Sequence, residues 1–372
     1  MTVVDLVSGL IRRFLPPSLQ PWGEAAIAEA RSLDRPGEAL PFLLGCLSWA
    51  LGEAIRFRFS KLSSRGEDTM NPGDLYGPRC VAIGCGIGAT GLGLAYMAAG
   101  GAPASYLLMN VAALAFGLVT FGVLALADRR AHLPPGPINL LLGLILTGVS
   151  LWGVSADGVT RWVALGPLSI QPSLMIVPLM AVLFARSRDL LSLGGIALAA
   201  LAFALQPDRG MAGALAAGLT VLALTRMDRR TLVAAGLSIT GLVAALVQAD
   251  PSPAVPFVDR ILYTSFGIHP LAGAAVLLGS VLLVVPALAA VRAKDIDPSA
   301  LATFGAVWAA IIAAAALGNY PTPVVGYGGS AVVGYFLSLI AFSRRRRQPE
   351  PRPVEAARPA DEDGPLLFAG PS

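Results

Sequence analysis

The sequence predicts an all-α, polytopic membrane protein of about ten transmembrane helices, and three observations carry that prediction. Of 372 residues, 55% are hydrophobic and only 13% charged. The mean hydropathy is +0.69, more than a water-soluble domain of this size tolerates. The apolar runs extend over roughly 15–25 residues between short charged breaks, the length a helix needs to cross hydrocarbon at about 1.5 Å per residue. Barrel strands would be about half as long and would alternate. Lys and Arg collect in alternate loops, as on the cytoplasmic side of inner-membrane proteins.

In chain order, residues 1–78 form an amino-terminal extension that mixes charge and proline where the apolar stretch of a leader would lie, so no cleavable signal peptide is expected. An amphipathic start is followed by an apolar run over 39–57, interrupted by Trp49 and Glu53. That run either lies in the interface or spans. Arg56, Arg58, Lys61 and Arg65 favour a cytoplasmic exit in both cases.

Residues 79–347 form the membrane domain, with spans expected near 79–100, 104–126, 138–152, 172–185, 189–205, 210–224, 231–248, 266–291, 300–317 and 324–342. Basic residues cluster at 128–130, 186–188, 226–230, 292–294 and 344–347, all on one side of that map. The opposite loops, 100–103, 153–170, 206–209, 249–265 and 318–323, hold few. Both ends of the core are then cytoplasmic, the carboxyl terminus included. The tail 348–372 is rich in Pro, Ala, Glu and Asp and is expected to be disordered in the cytoplasm.

Cys46, Cys80 and Cys85 fit neither a disulfide framework nor a metal site, and read as small residues of the lipid phase. The net charge of +4 sits largely in the topological clusters, so it does not point to nucleic acid.

Three outward loops contain unusual polar residues. The first runs from Gly158 through Arg161 and Trp162 to Gly166, Pro167, Ser169, Gln171, Pro172 and Ser173. The second is Gln206-Pro207-Asp208-Arg209-Gly210, and the third runs from Pro321 and Pro323 to Gly326-Tyr327-Gly328-Gly329-Ser330. Each has a bland reading: an interfacial Arg-Trp anchor, a turn in which Asp208 caps the next helix, and glycines that permit close helix packing. Polar side chains at membrane depth are costly and usually face a cavity or partner. Trp162, Gln171, Asp208 and Tyr327 are therefore expected to converge on one outward-opening cavity.

In motif, order and placement these loops resemble the signature loops of the SEDS (FtsW/RodA/SpoVE) family of cell-wall polymerases, over residues 79–347. The matching elements are Gly-x-x-Arg-Trp, Gly-Pro-x-Ser-x-Gln-Pro-Ser, Gln-Pro-Asp-x-Gly, Pro-x-Pro and Tyr-Gly-Gly-Ser. There are departures. The family's Glu and Lys after Gln-Pro-Ser are Leu174 and Val177 here. Arg209 and Met211 stand for Phe and Thr, and Gly326 and Ala331 for serines. The outward loop between spans seven and eight, long in the family, is compressed to 249–265 and lacks the family's Gly-Tyr-Gln element.

The resemblance implies a peptidoglycan glycosyltransferase that joins the disaccharide units of lipid II, a sugar-peptide on undecaprenyl pyrophosphate, in division, elongation or cell shape. It also implies membrane lipids and a single-pass transpeptidase, a class B penicillin-binding protein, as partners. The chemistry needs a base for the acceptor hydroxyl and cations for the departing pyrophosphate. The family's catalytic carboxylate lies in the compressed loop. Asp259 is chosen for it ahead of Asp250 and His269, because Asp259 adjoins Arg260. Substrate contacts are expected from Arg161, Trp162, Gln171, Ser173, Asp208, Arg209, Arg260, Tyr327, Gly328, Gly329 and Ser330, the three arginines being suited to pyrophosphate by their planar fork. For each arginine a lipid-headgroup contact is the plain alternative. A divalent cation is compatible with this chemistry, but no residue pattern specifies one. The shortened loop and the lost Glu and Lys equally suit a non-catalytic lipid II-binding scaffold. Breaks near Pro178 and Pro286 would suit a transporter of lipid-linked substrates.

Overall fold

The computed structural model divides the chain into two units, residues 1–76 and 77–372. It describes residues 7–9, 11, 15, 19–32, 42–43, 45–46 and 50 of the first, and 77–131, 134–156, 159–166, 168–248, 253–290 and 296–343 of the second. Outside these fall Gly158, Pro167, Asp250, the basic stretches 292–294 and 344–347, most of the apolar run 39–57 and the tail 348–372.

In the first unit, helix α1 (Gln20–Ser32) buries Gly23, Ala26, Ile27 and Ala30, a spacing of three and four residues that forms one face. Val7, Ile11, Leu15, Leu43, Cys46 and Ala50 complete its small apolar cluster.

The second unit is a bundle of apolar helices. In order they are α2 (Pro78–Ala99), α3 (Ala104–Ala131), α4 (Pro135–Trp152), α5 (Pro172–Arg186), α6 (Leu190–Leu205), α7 (Arg209–Thr225) and α8 (Arg229–Leu246). Then follow α9 (Ile261–Ile268), α10 (Pro270–Leu282), α11 (Val285–Ala289), α12 (Pro298–Leu317) and α13 (Gly329–Ser338), the last running into a 3₁₀ turn, Leu339–Phe342. Five of them, α2, α3, α4, α8 and α12, are long and apolar enough to cross a membrane; the other apolar helices are shorter. The bundle is thus the all-α membrane architecture expected.

Local chemistry sets the helix starts. Proline occupies the first turn of α2, α4, α5, α10 and α12, where its missing N–H costs nothing. Asp189, Asp208, Asp228 and Asp297 cap α6, α7, α8 and α12 by accepting from backbone N–H groups of the first turn. Helix α5 lies at the centre, its residues from Pro172 to Ala185 buried apart from Met175. Pro178 sits inside α5 without interrupting it. Helix α13 crosses α5 through Gly334, where a Cβ would stand 2.9 Å from the Met175 Cα. Helices α4 and α6 meet at Gly143, where a Cβ would stand 2.9 Å from the Gly195 Cα. Small residues permit such approach where lipid supplies no hydrophobic drive between helices.

Two stretches differ from the sequence expectation. Residues 153–170, expected as a loop, form an antiparallel meander of β1 (Val154–Ala156), β2 (Val159–Leu165) and β3 (Leu168–Ile170). The run Val159-Thr160-Arg161-Trp162-Val163 is rich in β-branched and aromatic residues, and Gly166 takes a positive φ of 59° in the turn. The eighth span, expected as one run over 266–291, is three helices with breaks at His269 and at Leu283–Val284. Pro270 and Pro286 lack the N–H that would continue the ladder. The extended His269 instead caps α10, its Nδ1 accepting from Leu271 N–H at 3.1 Å.

Among the described residues, the basic loops at 186–188 and 226–230 lie at one end of the bundle and the motif segments at the other. At the basic end, Arg186 pairs with Asp128 at 2.9 Å, Arg188 with Asp228 at 3.1 Å and Arg226 with Asp297 at 3.1 Å.

Candidate functional site

The motif end is built from four crossing segments. Gln171 ends the β meander and precedes α5; Asp208 precedes α7. Gln171, Ser173 and Asp208 are 7%, 2% and 1% exposed. Ser173 Oγ donates to Asp208 Oδ2 at 2.9 Å, and Gln171 Nε2 donates to the same oxygen at 3.2 Å. The other oxygen, Oδ1, accepts Met211 N–H at 3.2 Å. The carboxyl group therefore holds donors on both oxygens, as a buried polar group needs. Asp208 is both the helix cap of the bland reading and the hub of a polar cluster.

The third motif closes onto this cluster. Gln171 N–H donates to Ser330 Oγ at 3.0 Å. The cleft lined by Gln171, Asp208, Gly210, Ile311, Tyr320 and Pro321 offers about 10 Å³, room for at most a single water. Of the four residues expected to converge on one cavity, Gln171 and Asp208 meet in this small polar cleft, whereas Trp162 and Tyr327 are not among its lining residues.

The arginines divide. Arg161 is 4% exposed and its Nη2 donates to the Pro207 carbonyl, tying the first motif to the second. Arg209 donates to the carbonyls of Ala245 and Gln248 at the end of α8, satisfying orphan groups of that helix terminus. Arg260 is exposed and takes a left-handed φ of 59° just before α9. It lines a cleft of about 300 Å³ with Tyr263, Thr264, Ala316, Leu317 and Gly318. Trp162, half-buried, pairs through its backbone with Val154.

Tyr327 lies face to face with Tyr106 of α3, ring centroids 3.7 Å apart and planes inclined by 10°. Its N–H donates to the Phe257 carbonyl at 2.7 Å, and Thr322 N–H donates to Val258 O at 2.9 Å. Asp259 forms an isolated antiparallel bridge with Pro321. The compressed loop is therefore paired against the third motif. Gly328 has a φ of 147°, a conformation closed to residues with a side chain, and a Cβ on Gly329 would stand 2.8 Å from the Ala113 Cβ. Sequence reasoning missed Tyr106, Asn110 and Phe257. Asn110, lone and polar within an apolar span, was the readable signal.

Asp208 and Asp259 are the carboxylates at the motif end among the described residues. Asp259 is 8% exposed and its Oδ2 accepts Val255 N–H at 2.8 Å. Burial raises its carboxyl above the ordinary range, partly opposed by that bond. Among the described residues no group of His, Cys, Asp and Glu could hold a metal ion.

A polytopic helical membrane protein with a loop-built polar site at one end is the class these features define. No protein-family model matches the chain. Over 176 residues it is 35% identical to the probable peptidoglycan glycosyltransferase FtsW of Nitrosococcus halophilus, a match covering 41% of this chain and 44% of that one. The chain thus spans less than half the length of the curated relative it matches. Its fold is similar to the crystal structure of the rod shape determining protein RodA of Thermus thermophilus, at 23% identity and a TM-score of 0.50, covering 72% of this chain and 97% of that one. An aspartate-to-alanine mutant of the same RodA gives 21% identity and a TM-score of 0.51, covering 72% and 98%. The chain is thus similar in part of its sequence to an FtsW and shares the fold of RodA.

Proposed function

We propose that the chain polymerises lipid II at the outer surface of the bacterial inner membrane, with Asp259 as general base. The observation that carries this reading is the contrast between the two carboxylates. Asp208 is sealed, with donors on both oxygens and space for at most one water beside it. Asp259 accepts the Val255 N–H, lies in a loop at the bundle's end and has a carboxyl raised by burial above its ordinary value. A carboxylate of raised pKa is the better proton acceptor near neutral pH.

In this reading Asp259 takes the proton of the acceptor sugar hydroxyl as its oxygen bonds to the anomeric carbon of the donor. The bond to undecaprenyl pyrophosphate breaks, and the leaving group departs with its electron pair. Arg260, on the open cleft, is the arginine free to face the pyrophosphate; Arg161 and Arg209 hold the motif loops through backbone carbonyls. Gln171, Ser173 and Asp208 then shape the site rather than contact the reacting atoms, and Tyr327 to Ser330 form its wall. The basic end faces the cytoplasm, and a class B penicillin-binding protein is the partner expected in the membrane.

One observation favours a second reading, a lipid II-binding scaffold. Leu174 and Val177 are 5% and 0% exposed where the family carries an ion pair, so that stretch of α5 holds apolar packing instead. The test is to incubate purified protein with lipid II and resolve the products. Glycan strands support the polymerase, and retained lipid II binding without strands supports the scaffold.

A further inference from the structure

Helix α3 carries Tyr106 and Asn110 one turn apart, so both face the same way. Tyr106 stacks on Tyr327, as described above. Asn110 is fully buried and uses both ends of its amide: Nδ2 donates to Gly326 O at 2.8 Å, and Oδ1 accepts Gly328 N–H at 3.2 Å. The two bonds flank Tyr327, whose own N–H reaches Phe257 O. We propose that Asn110 is a positioning residue for Asp259, acting through the loop 326–328. This rests on the polymerase reading above.

Three further observations point the same way. The non-glycine residues with positive φ among the described residues are Phe257, Arg260 and Val324, at 62°, 59° and 67°. All three lie in the compressed loop or the third motif, which pair through Tyr327 and Thr322, the motif being held in turn by Asn110. Such conformations cost on the order of 1–3 kcal/mol each and persist only where the surroundings over-determine them. Gly326 is also crowded, since a Cβ there would stand 3.0 Å from Thr322 O and 3.1 Å from Phe257 O. The loop is thus held tightly on both sides, by α3 and by the segment that contains Asp259.

A buried asparagine that merely docked a loop would affect only how much protein folds. A positioning residue also changes the environment of the base. The neighbouring titratable groups are Arg260, next in the chain, Tyr327, bonded to Phe257, and Tyr106 on its far side. Burial raises the Tyr327 hydroxyl further above its ordinary value. The acid limb of a pH–rate profile therefore reports Asp259.

The experiment compares wild type with Asn110→Ala and the isosteric Asn110→Asp. Asn110→Asp keeps the acceptor for Gly328 N–H and loses the donor to Gly326 O. Lipid II polymerisation is followed against pH, and hydrogen exchange is measured at the amides of Thr322 and Tyr327. Expected in Asn110→Ala are faster exchange at both amides, a fall in kcat/KM of roughly 10- to 100-fold and an acid limb moved to lower pH. Asn110→Asp is expected to lie between. Unchanged exchange, or a rate loss that tracks folded protein with the limb unmoved, would overturn the positioning role. A wild-type chain that polymerises nothing would refute the polymerase reading, and the positioning role with it. An active wild type with an unmoved limb would refute the positioning role alone.

Discussion

Ser173 Oγ and Asp208 Oδ2, 2.9 Å apart across the junction of α5 and α7, join two motifs that lie 35 residues apart in the chain. The bond makes stability the first property to test at this site. Asp208→Ala removes a helix cap and strips Ser173 and Gln171 of their acceptor. Its expected cost is roughly 2–4 kcal/mol, against about 1 kcal/mol for Ser173→Ala. Thermal melts in one detergent measure both. Equal melting of Asp208→Ala and wild type would remove the hub role.

Helix packing gives a paired prediction. A Cβ at Gly195 would run into the backbone of Asn139 on α4, with Leu140 N only 2.8 Å away, whereas one at Gly236 on α8 meets nothing within 4 Å. Gly195→Ala is expected to destabilise by about 1–3 kcal/mol through forced separation of α4 and α6. Gly236→Ala is expected to be neutral or to stabilise by up to about 1 kcal/mol. Folded yield and melting temperature check the pair, and the reverse order would contradict the packing described.

Topology follows from the opposition of the two ends. A cysteine at Arg229, on the basic end, is expected to resist an impermeant thiol reagent in intact spheroplasts, and one at Arg260 is expected to react. Labelling at position 229 in sealed cells would invert the orientation.

Most of the bundle was legible because lipid imposes one rule on every span: apolar over its length, with charge at its ends. The Asp caps and the first-turn prolines mark helix starts within a residue or two of the structure. The β meander was not legible as such, because membrane-scale hydropathy weighs length, and its strands are short. Their alternation at Thr160-Arg161-Trp162-Val163 and the glycine turn were readable in hindsight. The division of the eighth span needed Pro270 to be read as a helix start rather than as a residue within a helix. At the site, the residue types of the motifs were plain. The sequence could not reveal that Arg161 and Arg209 bond to carbonyls, because those partners are backbone groups that fold geometry alone supplies. Nor could it reveal that the compressed loop pairs with Pro321 and Thr322, a contact between segments about 60 residues apart.

The pH dependence follows from the burial of Asp259. Its raised pKa places the protonated, inactive form at higher pH than an ordinary carboxylate, so the acid limb of kcat/KM is expected above about pH 4. In the sign that matters, activity is present above the folded-state pKa and is lost as pH falls through it. A limb at or below the ordinary carboxylate value would argue against Asp259 as the titrating group.

The most direct measurement is lipid II polymerisation by purified wild type, Asp259→Ala and Asp259→Asn, with folding of each confirmed by melting. Expected are glycan strands from wild type and a loss of at least about 100-fold in both variants, since an amide is as poor a base as a methyl group is. Strands produced equally well by Asp259→Ala would contradict the assignment of the base. No strands from any of the three, with lipid II still bound, would contradict the polymerase itself.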